Sequence, residues 1–490
     1  MTEKADLPIQ PERSLDPDNW AEFRALGHRM LDDMLDYIQD IRERPVWQAM
    51  PDETRRQFRE GLPEAPSDPA SVYDEFTRMI VPYALGNVHP GFMGWVHGGG
   101  TPVGMLAEML AAGLNSNLGG RDHAGIEVER QIVEWTRRIF EFPETASGLF
   151  VTGTSMANLM AVLVARRWAL GEGCRAEGVG GDGAGLRAYT SRAAHACISR
   201  ALDFSGLGTD ALRVIDNDVG HRIDIDALGA AIRVDRDAGL QPFLVVGTAG
   251  TVEIGAMDDL QRLAALCKNE GLWFHVDGAF GALAKLSPEL APRLAGIEKA
   301  NSIAFDFHKW AQVPYDAGFL LVRDAALHMD AFASPAAYLR REVRGLAAGS
   351  PWPCDLGPDL SRGFRALKTW FTLKTFGTKR LGEVISRSCE VARHLEKRIR
   401  SEPSLELLAP AHLNIVCYRY RTENPDTFNA ALAVAIQESG IAAPSTTLID
   451  GKLAIRAAIV NHRTSERDVD ALIDTTLSLA DEMRRYPLSA

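Results

Sequence analysis

Two apolar segments that each contain a charged residue near one end constrain the fold of this chain more than any other feature. The first segment reads Leu-Trp-Phe-His-Val-Asp-Gly-Ala-Phe (272–280) and contains Asp277, and the second reads Ser-Ile-Ala-Phe-Asp-Phe-His-Lys-Trp (302–310) and contains Lys309. Short apolar runs of this kind are typical of buried β-strands. Because an unpaired buried charge is costly, we expect Asp277 and Lys309 to be functional residues.

The stretch between these segments is long enough for one crossover connection, so the two strands can be neighbours in one parallel sheet. Asp277 and Lys309 would then lie at the carboxyl-end edge, where open α/β sheets bind ligands. A lysine there can form a Schiff base with the carbonyl of pyridoxal phosphate (PLP), while the aspartate keeps the pyridine nitrogen protonated. A structural salt bridge between the two residues explains the pair equally well.

A possible phosphate site precedes these segments in residues 148–166, GLFVTGTSMANLMAVLVAR. A short apolar strand is followed by a turn and a helical run, so Thr154 or Ser155 would present hydroxyl and backbone N–H groups at a helix start. An ordinary N-cap without a ligand is the commoner explanation. His195 follows another predicted strand, 186–190, and opens a predicted helix, so it could stack on an aromatic cofactor; a lone histidine is more often structural.

The segments Thr-Gly-Thr-Ser, Ala-His, His-Val-Asp-Gly-Ala and His-Lys-Trp occur in this order along the chain. In this the chain resembles the group II PLP-dependent amino acid decarboxylases, which share the fold of aspartate aminotransferase, fold type I. The resemblance runs from about His89 to the C-terminus, and residues 1–88 match more loosely. It implies an α/β fold with a mainly parallel seven-stranded sheet and a smaller α+β C-terminal domain.

The resemblance also implies the roles of individual residues. Lys309 is expected to form the Schiff base with PLP, Asp277 to pair with the pyridine nitrogen, and His195 to stack on the ring. Tyr338 matches the mobile-loop tyrosine of these decarboxylases and is the expected proton donor, since a phenol with a pKa of about 10 keeps its proton until it is needed. The remaining cofactor contacts are expected from Thr154, Ser155, Thr251, Ala279 and His308.

Three positions depart from the pattern of the family. Asp306 stands where relatives usually have Asn near the phosphate, and a second carboxylate there is repulsive unless it is turned away, bridged by a cation or protonated. Val252 replaces one hydroxyl residue in the segment 248–255, and Gly98 replaces a Thr of the aromatic branch on the substrate side. We therefore expect a remodelled substrate pocket.

The segment 358–371 is similar to the aromatic amino acid and histidine decarboxylases, and it contains Ser361, where histidine-specific members tend to have Ser. Trp95 aligns with pocket aromatics of the same branch, although an aromatic residue in such a segment is more often part of the core. The resemblance thus implies decarboxylation of an L-amino acid with an aromatic or imidazole side chain. The alternatives are an aldehyde synthase or another carbon–carbon lyase on the same fold, and a catalytically silent PLP-binding protein.

The domain organisation follows from length and apolar periodicity. The chain has 490 residues, of which 46% are hydrophobic, enough for more than one domain. We expect an N-terminal helical dimerisation arm (1–88), a large PLP-binding domain (89–367) and a small C-terminal domain (368–490). Residues 17–42 show helical periodicity, with Asp16 as the N-cap and Pro17 at the first helical position. The resemblance implies a homodimer with the active site at the subunit interface.

Composition disfavours several other classes of function. The net charge is −12 and no basic cluster is present, so a nucleic-acid partner is not expected. The six cysteines form no Cys-x-x-Cys pair, which argues against a disulfide framework and a metal site. The sequence shows neither a signal peptide nor an apolar run of about 20 residues, so no membrane association and a cytoplasmic location are expected.

Overall fold

The computed structural model describes residues 14–334 and 340–486 of the chain. Backbone contacts divide it into two compact units, the first formed by the described residues up to 44 together with 50–84, the second by residues 45–49 and the chain from 85 onward. In the described part of the chain, no helix combines the length and the apolar character needed to cross a bilayer. The three predicted domains remain a prediction.

The first unit consists of helices, α1 (Trp20–Gln39), α2 (Asp52–Gln57) and α3 (Pro69–Met79). The predicted start of α1 at Asp16 and Pro17 is wrong. The helix begins at Trp20, because the side chain of Asn19 accepts hydrogen bonds from the N–H groups of Ala21 and Glu22 and caps it there. No residue of α1 is fully buried, and Trp20 and Phe23 near its start are exposed.

The second unit contains the remaining helices and all described strands. Its helices are α4 (Pro102–Leu114), α5 (Ala124–Ile139), α6 (Thr154–Leu170), α7 (Cys174–Glu177), α8 (Gly180–Gly183), α9 (Cys197–Phe204), α10 (Ile225–Asp237), α11 (Leu260–Glu270), α12 (Ala325–Phe332), α13 (Arg365–Arg400), α14 (Pro425–Glu438) and α15 (Glu466–Arg485). Its strands are β1 (Phe92–Met93), β2 (Ser147–Val151), β3 (Leu186–Ser191), β4 (Leu212–Ile215), β5 (Gln241–Thr248), β6 (Trp273–Asp277), β7 (Ser302–Asp306), β8 (Gly318–Val322), β9 (Leu405–Ala409), β10 (Ile415–Tyr420), β11 (Ala443–Ile449) and β12 (Lys452–Ala458).

A seven-stranded sheet forms the centre of this unit, in the order β2-β8-β7-β6-β5-β3-β4. The strands from β4 across to β7 are parallel, while β8 is antiparallel to both of its neighbours. Every residue of β6 and β7 is buried, which accounts for their continuous apolar sequences. The predicted α/β fold with a mainly parallel sheet is confirmed.

A smaller sheet, in the order β1-β11-β12-β10-β9, lies in the C-terminal part of the unit. The four strands β9 to β12 pair antiparallel, and β1 adds to β11 in parallel. Tyr418, Ile455 and Leu472 belong to the buried core between this sheet and the helices α13, α14 and α15. This is the expected α+β arrangement, and α13 runs continuously across the predicted boundary at 367/368 apart from a break at Gly377, where φ is 67°.

Candidate active site

A cavity of about 390 Å³ opens at the carboxyl ends of β5, β6 and β7, whose last residues are Thr248, Asp277 and Asp306. This is the edge of the sheet that the sequence predicted for Asp277 and Lys309. The lining residues are Trp95, Val96, His97, Thr152, Gly153, Thr154, Ser155, His195, Cys197, Thr248, Gly250, Val252, Asp277, Ala279, Phe280, Asp306, His308, Lys309 and Tyr315.

Asp277 is held by hydrogen bonds from two sides. It is 4% exposed; its Oδ1 accepts the N–H of Ala279 at 3.2 Å, and its Oδ2 accepts the Nδ2 amide of Asn158 at 3.0 Å. Burial raises the pKa of Asp277, whereas the charge of Lys309 and these two hydrogen bonds favour the ionised carboxylate. The carboxylate is thus fixed in orientation at the cavity wall.

Behind Asn158 the hydrogen bonds continue through His275 to Ser302. The Oδ1 of Asn158 lies 2.8 Å from Nε2 of His275, and Nδ1 of His275 lies 2.8 Å from Oγ of Ser302. Burial lowers the pKa of His275 to about 3, so the imidazole is neutral. Because Asn158 donates to the carboxylate, its Oδ1 must accept, and His275 therefore donates from Nε2 and accepts at Nδ1.

The hydrogen bonds at Ser302 are compatible with this direction, and Nδ1 of His275 also lies 3.2 Å from the carbonyl oxygen of Ser302. The indole Nε1–H of Trp273 donates to Oγ of Ser302 at 2.9 Å, which leaves the hydroxyl hydrogen of Ser302 free to point at His275. Each member thus donates toward Asp277, and we call Trp273, Ser302, His275 and Asn158 the Asp277 relay. Such a set of aligned dipoles stabilises the negative charge on the carboxylate.

Lys309 pairs with Asp306, not with Asp277. Its Nζ lies 2.9 Å from Oδ2 of Asp306, whereas no ion pair of Asp277 occurs among the described residues. The other oxygen of Asp306 accepts the N–H of Thr154, the first residue of α6, at 2.7 Å. Of the three arrangements considered for Asp306 from the sequence, the structure shows the carboxylate paired with a cation, the lysine itself.

Of the six other predicted cofactor residues, five line the cavity and one does not. His195, Ala279, Thr154, Ser155 and His308 line the cavity, as predicted. His195 lies in the turn before α9, with its Nδ1 accepting the N–H of Cys197 at 3.2 Å, and does not itself open the helix.

Thr251 is not among the residues that line the cavity. Its Oγ1 instead accepts the N–H of Ala256 at 3.0 Å, within its own loop. The hydroxyl residue that does line the cavity from this segment is Thr248, whose buried Oγ1 has no hydrogen-bond partner in the described part of the chain. The buried Oγ1 of Thr154 is unpartnered there too. Two buried hydroxyl groups at the cavity are therefore available to a ligand.

One side of the cavity is aromatic. Trp95 and His97 stack with their ring centroids 5.9 Å apart, and the ring of Tyr315 meets His97 edge-on at 5.8 Å. Tyr315 also lies against His308, with centroids 4.2 Å apart. This wall offers a flat apolar surface, and the predicted pocket residue Trp95 belongs to it.

The structure leaves no room for a side chain at Gly98. A Cβ atom at this position would lie 2.2 Å from the carbonyl oxygen of His308 and 2.6 Å from that of Lys309. The backbone that carries Lys309 thus packs directly against Gly98. A side chain there would displace the loop that positions the lysine.

Besides Thr251, two other predicted residues are not placed in the cavity. Tyr338 lies outside the described residues, and Ser361 is exposed and does not line the cavity of the same chain. Sequence reasoning also missed Asn158 and Tyr315. The signal for Asn158 was present, because it is the one amide in the apolar run of α6 and lies a single helical turn after Thr154.

The chain matches known proteins along most of its length. The model of the pyridoxal-dependent decarboxylase conserved domain matches residues 51–421. The chain is 33% identical over 482 residues to an aromatic-L-amino-acid decarboxylase of Bacillus atrophaeus, covering 96% of this chain and 98% of the relative. It is 31% identical to the histidine decarboxylase of Mus musculus, covering 91% and 69%. The crystal structure of Oryza sativa TDC with PLP and tryptamine superposes with a TM-score of 0.87, at 24% identity, over 96% of this chain and 100% of that one.

Proposed function

Because the chain belongs to the pyridoxal-dependent decarboxylase family, we propose that it decarboxylates an L-amino acid with an aromatic or imidazole side chain to the amine and carbon dioxide. One observation carries the proposal: Lys309 and the buried, relay-supported carboxylate of Asp277 face one cavity at the ends of neighbouring parallel strands. PLP, when bound, supplies an aldehyde that links to amines and a ring that accepts electrons from the bond to the departing carboxylate.

The residues around the cavity fit this cofactor. Lys309 is the amine that would hold the aldehyde, and Asp277 is the anion that would keep a proton on the ring nitrogen. The unpartnered hydroxyl of Thr154, with Ser155 beside it, would bind the phosphate at the N-terminus of α6. His195 lines the same cavity and would contact the face of the ring.

Lys309 must lose a proton before its amine can attack an aldehyde. In the described structure the charge of its ammonium group is compensated by Asp306 at 2.9 Å. Asp277, by contrast, accepts hydrogen bonds from Asn158 and Ala279, which favour its ionised form, whereas burial raises its pKa. The two carboxylates therefore have separate roles. Asp306 pairs with the amine of Lys309, and Asp277 would contact the ring nitrogen of the cofactor.

The aromatic wall supports the proposed substrate class. The rings of Trp95 and Tyr315 line the cavity, and His97 between them carries a buried Nδ1 with no partner among the described residues. An aromatic or imidazole side chain of the substrate would pack on this wall. We propose Tyr338 as the group that returns a proton to the substrate carbon, from its position in the sequence.

We further propose a homodimer that completes the active site. The exposed rings of Trp20 and Phe23 at the start of α1 support it, at 59% and 45% exposure in the single chain. Neighbouring exposed aromatic side chains of this kind suit a subunit contact. Light scattering of the purified protein should give twice the mass of 53.6 kDa; a monomer with full activity would refute this part of the proposal.

The test combines covalent trapping with product analysis. Wild type incubated with PLP and borohydride should retain the reduced cofactor on Lys309, and Lys309→Ala should retain none. Lys299→Ala is the matched control, since Lys299 is exposed and does not line the cavity. Wild type should release carbon dioxide and an equimolar amine from at least one aromatic amino acid or histidine.

Each alternative has its own outcome. Aldehyde, ammonia and peroxide in place of the amine would identify an aldehyde synthase. Retention of reduced cofactor without turnover of any amino acid would identify a silent PLP-binding protein. Trapping that persists in Lys309→Ala would refute the assignment of the lysine.

A further inference from the structure

A carboxylate of the protein itself occupies the helix end at which we place the phosphate. Asp306 is 2% exposed; its Oδ1 accepts the N–H of Thr154 at the start of α6, and its Oδ2 pairs with Lys309. The N-terminus of a helix carries partial positive charge and unpaired N–H groups, both of which attract anions. Asp306 already accepts one of these N–H groups, that of Thr154.

We propose that Asp306 is an internal anion that competes with the phosphate group of PLP for the N-terminus of α6 and thereby weakens cofactor binding. The inference rests on the proposed placement of the phosphate at Thr154 and Ser155. A carboxylate beside a phosphate dianion is repelled by it, and burial of Asp306 reduces the screening of this repulsion by salt. Cofactor occupancy would then depend on the supply of PLP more strongly than in an otherwise identical site with Asn at this position.

Apart from Lys309, no side chain paired with Asp306 among the described residues carries a positive charge that could offset the repulsion. His308 lies 3.6 Å from its Oδ2, but burial lowers the pKa of His308 to about 4, so this ring is neutral near pH 7. Lys309 is thus the charge that compensates Asp306 among the described residues. The helix end still has capacity for a ligand, because Thr154 is 5% exposed and its Oγ1 is unpartnered at the cavity.

The effect of the phosphate charge on binding can be measured with two compounds that lack the aldehyde. Pyridoxine 5′-phosphate carries the phosphate and pyridoxine does not, and neither reacts with Lys309. Calorimetry should show that Asp306→Asn binds pyridoxine 5′-phosphate about tenfold or more tightly than wild type, both proteins being free of cofactor. The affinity for pyridoxine should change by less than about threefold, since no dianion is involved.

Two further variants sharpen the comparison. Asp306→Ala removes the charge without adding an amide donor, and it should strengthen binding of the phosphate compound in the same direction. Asp316→Asn is the matched control, since Asp316 pairs with Arg365 at 2.6 Å and not with the helix end; it should leave both affinities unchanged. Circular dichroism confirms that each variant is folded.

The inference is overturned if neither Asp306 variant binds pyridoxine 5′-phosphate more tightly, or if pyridoxine gains as much as its phosphate. Ser155→Ala tests the placement of the phosphate separately and should weaken binding of the phosphate compound. If Ser155→Ala weakens binding while the Asp306 variants gain nothing, the placement stands and only the competition is wrong. If Ser155→Ala binds as wild type does, the placement itself is wrong.

Discussion

Replacement of Asn158 by alanine tests the Asp277 relay most directly. The side chain of Asn158 is fully buried and joins Oδ2 of Asp277 to Nε2 of His275, so its removal leaves a carboxylate oxygen and an imidazole N–H without partners. Each unpaired buried polar group costs about 1–3 kcal/mol, so Asn158→Ala should lower the free energy of unfolding by roughly 2–6 kcal/mol.

The assay is urea unfolding of the cofactor-free protein at one fixed protein concentration, because the stability of an oligomer depends on concentration. The cofactor-loaded variant should in addition show a shifted visible absorption band, since Asp277 is then less able to hold the ring nitrogen protonated. Asn429→Ala is the matched control: Asn429 is also fully buried and bonds Tyr420 and Pro425, away from the cavity. It should lower stability without changing the spectrum.

A double-mutant cycle makes the prediction refutable. His275→Phe removes the imidazole that Asn158→Ala would leave unpaired, so the two changes together should cost less than the sum of the single changes, by about 0.5–3 kcal/mol. Strictly additive losses, or a spectrum of Asn158→Ala identical to that of wild type, would show that the relay does not act as a unit on Asp277.

Two further predictions concern stability. The folded-state pKa of His275 is lowered from 6.5 to about 3, so the unfolded chain binds more protons below pH 6.5; the free energy of unfolding should fall as the pH drops from 6.5 toward 3, by up to roughly 5 kcal/mol from this residue. Urea midpoints measured from pH 7 to 4 should fall less steeply in His275→Gln, and equal slopes would contradict the assignment. Gly98→Ala should lower the thermal midpoint and cofactor retention, because its Cβ would meet the carbonyl oxygen of His308 at 2.2 Å; Gly113→Ala, with nothing within 4 Å of its Cβ, should leave both unchanged or raise the midpoint slightly.

The central part of the fold was predictable because its strands are buried on both faces. β6 and β7 are continuous apolar runs, and the charged residues near their ends indicated which edge of the sheet carries the chemistry. The start of α1 was missed because Asp16, Pro17 and Asn19 all suit a helix start, and only the observed hydrogen bonds of Asn19 decide among them.

The residues that lie together at the site were predictable from the sequence, but which of them pair with each other was not. Two charged residues at the ends of adjacent strands suggested an Asp277–Lys309 pair, yet the lysine pairs with Asp306, the last residue of its own strand β7. Sequence spacing shows which residues share an edge of the sheet; it does not show which of two nearby carboxylates an amine contacts. Similarly, Thr248 and Thr251 carry the same hydroxyl group, but Thr248 ends β5 at the cavity, whereas Thr251 lies in the following loop and bonds within it.

The helix α6 links two functions that are usually considered separately. Thr154 lies at its first residue and Asn158 one turn later, so the proposed phosphate contact and the support of Asp277 are attached to a single rigid rod. A substitution in the buried flank of this rod, for example at Met160, would move both attachment points at once. The affinity for the phosphate group and the visible absorption of the bound cofactor should therefore change together across such variants, even though none of the substituted residues contacts the ligand.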